Sequence, residues 1–183
     1  MANGFRNAIR VIRSESSDAN HQNPLIILGH SLGGIITKEA LIKMKDGDNH
    51  DQANFKATYA LLFFGVPNRG MEIRHFTPIV HNAPNRYLVE VLGTGSDFLR
   101  EQSAKFPIIF HFKDSEIISY YETEETPTAQ MVDDKWERTG KTVLLVPYDS
   151  AIHSRPWELT DRYLVQVNRD HSEMVKFSER PRW

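Results

Sequence analysis

The 183-residue chain contains no cysteine. A disulfide framework, a thiol nucleophile and a Cys-ligated zinc site are therefore excluded, and a reducing compartment fits. No stretch reaches the roughly 18 consecutive apolar residues that a membrane-spanning helix needs. Neither sign of charge dominates: 22 Lys and Arg stand against 24 Asp and Glu, a formal net charge of −2. That balance argues against a basic nucleic-acid surface, and the apolar content argues against disorder. Phosphate-loop, complete G-x-G-x-x-G, H-E-x-x-H and EF-hand patterns are also missing, so no metal or organic cofactor is implied.

The first residues, "MANGFRNAIRVIRSESS", lack an apolar signal core and a cleavage site. Arginines with no acid before Glu15 are the composition of a mitochondrial presequence. Phe5, Ala8, Ile9 and Ile12 fall at helical spacing, however, and a plain amphipathic helix over 4–13 is the simpler expectation. A polar loop over 14–23 follows, so residues 1–24 read as a lead-in. "LIIL" (25–28), "ATYALLFFG" (57–65), "SEIISYY" (115–121) and "TVLLVP" (142–147) are β-rich runs, the pattern of buried parallel strands. Helical spacing over 34–45 and in "SDFLREQSAKF", with Ser96 or Asp97 as N-cap, alternates with them. "DGDNHDQ" is expected to end the first of these helices in a turn. Residues 71–95 read as irregular, with short helices or a cap. "ETEETPTAQMVDDKWERTGK" reads as an exposed loop, and "NRDHSEMVKF" as a loop leading into a short helix. With no repeat or linker, 1–183 reads as one α/β domain, a mainly parallel sheet flanked by helices.

Gly29-His30-Ser31-Leu32-Gly33 matches G-x-S-x-G, set between a buried-type strand and a helix. In a nucleophile elbow the strand turns so sharply into the helix that the serine is strained and its neighbours must be small. Ser31 would then sit at a helix N-terminus, with the Leu32 N–H as an oxyanion donor. The bland alternative is a glycine-rich turn whose serine caps the helix.

With "PLIILGHSLGGIITKEAL", "YALLFFGVPNRGM", "IISYYETEETPT", "TVLLVPYDSA" and "DHSEMVKF" in that order, the chain resembles the serine-esterase, lipase-like α/β-hydrolases of the DUF676, PGAP1-like and SERAC1-like group. Fungal members of that group often head multidomain proteins. The resemblance implies an α/β-hydrolase fold with a triad in the order serine, acid, histidine. Ser31 would be the nucleophile and His171 the base. His30, sitting beside the nucleophile, and His75, His81, His111 and His153 are the rival histidines. Glu122 would be the acid, with Asp149 the alternative, Asp114 and Glu124 weaker, and Asp170 a residue that shapes the His171 loop. The implied activity is hydrolysis of a carboxylic or lipid ester through an acyl-enzyme. Peripheral membrane contact and a cytoplasmic location, with endoplasmic-reticulum or mitochondrial-membrane association, go with it.

Only 24 residues precede "LIIL". A complete hydrolase has earlier strands and a loop giving the second oxyanion N–H, so an N-terminally truncated domain is expected. "GTGSDF" (93–98) is no substitute. The alternative function is a catalytically impaired hydrolase fragment, an interaction module or part of a larger protein, in which a protein partner covers the exposed sheet edge.

Overall fold

The computed structural model describes residues 1–14, 23–74, 76–77, 80, 83–84, 86–133, 135–152 and 155–177. The histidines at 75, 81 and 153, and most of the loop expected over 14–23, lie outside the described residues.

Helix α1 (Ala2–Ser14) leads into strand β1 (Leu25–His30) and helix α2 (Leu32–Lys45). Phe5 and Ile9 of α1 turn inward as their spacing predicts, but Ile12 is 70% exposed. The arginines take its place on the inner side. Arg10 pairs with Asp51 at 3.1 Å and Asp48 at 2.5 Å, and Arg13 donates to the Asn23 carbonyl at 3.0 Å.

The turn expected at "DGDNHDQ" ends α2 over 46–48, and helix α3 (Asn49–Ala57) starts within the same stretch. Asp48 caps it, its carboxylate accepting the Asp51 N–H at 3.1 Å. A turn-forming aspartate thus serves as an N-cap, a role open to the same residue types. Strand β2 (Thr58–Phe64), helix α4 (Arg86–Val91) and helix α5 (Asp97–Ile109) follow, with Ser96 capping α5 through the Leu99 N–H. Strand β3 is Glu116–Glu122.

The stretch read as an exposed loop contains β4 (Thr126–Pro127), β5 (Gln130–Val132) and β6 (Lys135–Glu137). Strand β5 pairs antiparallel with β6, and β4 with β7 (Thr142–Val143). "TVLLVP" is therefore not a strand of the main sheet. Its Leu145 and Val146 pack into the core as irregular chain before helix α6 (Tyr148–Ala151). The fourth main strand is β8 (Leu164–Val167), from a segment that is short and half-polar in sequence.

The main sheet is parallel throughout, in the order β1-β2-β3-β8. Alternation along each strand divides its two faces. Ile27, Leu61, Phe63 and Ile117 point into the core beneath α2 and α5, where each buried side chain contributes roughly 1.5–3 kcal/mol. On the opposite face Ile26 and Leu28 are 53% and 63% exposed, and β1 is an edge of the described sheet. At the start of β3, Arg155 and Glu158 form a fully buried ion pair, and Glu158 accepts the Ile117 N–H at 2.7 Å. This fixes the end of the sheet remote from the strand C-termini. It is at those C-termini that parallel sheets place their chemistry.

Candidate functional site

Ser31 follows the last residue of β1 and precedes the first of α2, with φ 52° and ψ −127°. Positive φ in a residue with a side chain is strained, and persists only where surroundings impose it. Two contacts do so here. The Ser31 N–H donates to the Phe64 carbonyl at the end of β2 at 2.9 Å, and the Ser31 carbonyl accepts the Gly34 N–H at 3.1 Å. The hydroxyl makes no capping bond to the helix, unlike Ser96 and Asp48. The bland reading of Ser31 as an N-cap fails on that point.

The glycines divide. A Cβ at Gly29 would lie 2.8 Å from the Gly34 Cα, and one at Gly34 would overlap the Val66 methyls. Around Gly33 there is open space, so crowding explains Gly29 and Gly34 but not the second glycine of the motif.

Glu122 ends β3, and its buried carboxylate divides its work. Oε1 accepts the Val146 N–H at 3.1 Å, and Oε2 faces His171 Nδ1 at 2.6 Å. With Nδ1–H donating to Glu122, the His171 Nε2 carries the lone pair. That atom is buried and has no hydrogen-bond partner among the described residues. The segment after β8 is itself fixed. Asp170 Oδ1 accepts the Ser172 and Glu173 N–H groups at 2.8 and 2.9 Å, which is the loop-shaping role expected of it. The His171 N–H donates to Thr126 Oγ1 at 3.1 Å. Beyond His171 the chain runs in turns through Val175 rather than in the short helix expected.

Among the other candidates, Asp149 lies on α6, and it, Asp114 and Glu124 are all exposed. His111 is exposed and bonds the Ile108 carbonyl at 2.9 Å. His30 packs beside His171, ring centroids 4.8 Å apart, and its Nε2–H donates to the His171 carbonyl at 2.8 Å. Burial, and then the charge of His171, hold His30 below the ordinary histidine range.

Ser31 and His171 line one cavity of about 440 Å³, whose walls include Met71, Ile73, Leu92 and Leu145. Such a volume and lining suit a small ligand with an apolar part. Leu32 is the first residue of α2, and an N–H at that position has no partner within the helix. Among the described residues, no group of three or more His, Asp or Glu side chains is placed to hold a metal. None of their helices is long and apolar enough to cross a membrane.

Supporting residues went unread in the sequence. Gly65, with φ 52°, stands where a Cβ would lie 2.8 Å from His171 Nδ1. Its only signal was a glycine ending an apolar strand. Thr126 and the His30 bond had none. Behind the elbow, Lys38 is buried against the Phe63 and Phe106 rings, 5.2 Å from each centroid, and bonds Asn68 Oδ1. Burial lowers its pKa to about 7.

The chain is similar to Protein SERAC1 of Danio rerio, 28% identical over 162 residues, which cover 85% of this chain and 21% of that protein. The chain thus spans about a fifth of the length of that curated relative. No family model matches the chain, and no solved structure does. The similarity supports a distant relationship to SERAC1 and reaches no further within the resembled group.

Proposed function

We propose that the chain has an α/β-hydrolase fold and is a serine hydrolase of carboxylic or lipid esters. The distant likeness to SERAC1 and the parallel sheet with helices support a lipase-like hydrolase in general. What carries the specific reading is His171, which lines the same cavity as a strained serine and whose buried Nε2 has no partner among the described residues.

Ser31 Oγ attacks the ester carbonyl carbon while its proton passes to His171 Nε2. Glu122, 2.6 Å from Nδ1, holds that tautomer and stabilises the imidazolium. The Leu32 N–H and the positive end of α2 stabilise the oxyanion. Collapse breaks the ester C–O bond, and His171 returns the proton to the leaving alkoxide. Water, deprotonated by the same histidine, then releases the acid from the acyl-enzyme.

A fluorophosphonate probe tests the reading without needing turnover. We expect a covalent adduct on Ser31, absent in Ser31→Ala and much slower in His171→Ala. Folded protein with no Ser31-dependent adduct overturns it.

The apolar face around Ile26 and Leu28, beside the β1 edge, favours a second reading. In it the chain is an impaired hydrolase within a larger protein, held to a protein partner through that face. A stable monomer by light scattering, with no exposed apolar surface by dye binding, removes this reading.

A further inference from the structure

A second apolar cavity, of about 170 Å³, lies against the cavity that holds Ser31. Its walls include Leu32, Ile35 and Ile36 of α2, Leu88 and Val91 of α4, and Phe98 of α5. Between the two stands α4, with Val89 turned to the Ser31 side and Leu88 and Val91 to the other. Leu92, the residue after α4, lines both cavities.

The divider is uneven in firmness. No side chain of α4 itself is buried. Leu92 is only 8% exposed, and its carbonyl accepts the Met71 N–H at 2.8 Å, while Gly93 pairs with Met71 in an isolated β-bridge. A Cβ on Gly93 would press on Ile73 Cδ1, itself in the Ser31 cavity wall, so the backbone at 92–93 sits tight against that wall. Leu92 is thus an apolar side chain on a fixed stretch of backbone, lining an apolar cavity on each side.

We propose that Leu92 is a specificity-determining residue: it ends the acyl-chain channel at Ser31 and shuts off the second cavity. The inference rests on the serine-hydrolase reading for its chemistry, though the wall itself stands independently of it. The substrate class is a straight-chain acyl ester whose chain stops at Leu92. Each methylene that finds room in an apolar channel raises kcat/KM roughly fourfold, and the gain ends where the chain meets the wall. Removing the wall joins the cavities and lets longer chains continue along Leu32 and Ile36.

The test is kcat/KM for straight-chain p-nitrophenyl esters of increasing length. Leu92→Ala is expected to move the optimum by two or more carbons to longer chains, and Leu92→Phe to move it to shorter ones. The Phe variant adds volume, so it reads the wall even where Leu92→Ala is too unstable to study. Binding of straight-chain 2-alkanones to Ser31→Ala protein, by calorimetry, gives the length limit with no chemistry. Ester hydrolysis with a length optimum that neither folded variant moves overturns the wall and leaves the hydrolase. A binding limit that Leu92 variants move, with no hydrolysis of any ester, overturns the hydrolase and leaves the wall.

Discussion

At the residue scale, the proposed mechanism depends on one imidazole being held in one tautomer. Three groups fix His171: Glu122 at Nδ1, Thr126 at its N–H, and His30 at its carbonyl. Of these Glu122 is the one hydrogen-bonded to a ring nitrogen, so it sets which nitrogen carries the lone pair. Glu122→Gln keeps the shape but presents either an amide oxygen or an amide N–H to Nδ1. The N–H would demand the opposite tautomer and turn Nε2 into a donor. We expect kcat for ester hydrolysis to fall on the order of 1,000- to 10,000-fold with little change in KM. An unchanged kcat would remove Glu122 from the triad. In the sequence Glu122 is the leading candidate acid, by resemblance, with Asp149 as the alternative. The residue ending β3 and a residue in the turns after β8 meet across 49 positions, a distance that local pattern does not report.

At the element scale, the β1–elbow–α2 unit was legible because every part of it is local. An apolar run, a bracketed serine and helical spacing occur within 21 residues, Leu25 to Lys45. The fourth strand was not legible, because a parallel sheet selects its members by long-range pairing. "TVLLVP" is the more apolar segment, yet "LVQV" pairs with β3, and Leu145 and Val146 are buried without a ladder. The glycines of the elbow sharpen the same lesson. Gly33 and Gly34 look equivalent in sequence, but one faces open space and the other the Val66 methyls. Gly33→Ala is therefore expected to stabilise the protein by up to about 1 kcal/mol through helix propensity. Gly34→Ala must push α2 away from Val66, and costs about 1–3 kcal/mol as overpacking. Denaturant midpoints measure both; equal effects would contradict the packing described for the elbow.

At the scale of the whole molecule, Lys38 ties core electrostatics to stability. It lies between α2 and the β2–α6 region, with Phe63 and Phe106 against it. Asn68, its hydrogen-bond partner, also donates to the Val66, Ser150 and Ala151 carbonyls, so one buried amide joins three parts of the chain. Burial lowers the Lys38 pKa from 10.5 to about 7, partly opposed by the charge of Glu158. Because the folded value is the depressed one, the unfolded chain binds more protons between about pH 7 and 10.5. Stability attributable to this group therefore rises with pH across that window, by at most roughly 5 kcal/mol, and is level below it. Lys38→Met removes the titration while keeping much of the volume, at the cost of leaving Asn68 Oδ1 without its donor. Tyrosines and surface lysines titrate alike in both proteins, so the difference between their stability–pH curves isolates Lys38. Urea unfolding of each protein at intervals from pH 6.5 to 10 makes the comparison. The gap between wild type and Lys38→Met is expected to change steadily in favour of wild type as pH rises. Parallel curves would mean that Lys38 keeps its proton in the folded core, and that the aromatic faces and Asn68 stabilise the ammonium more than burial penalises it.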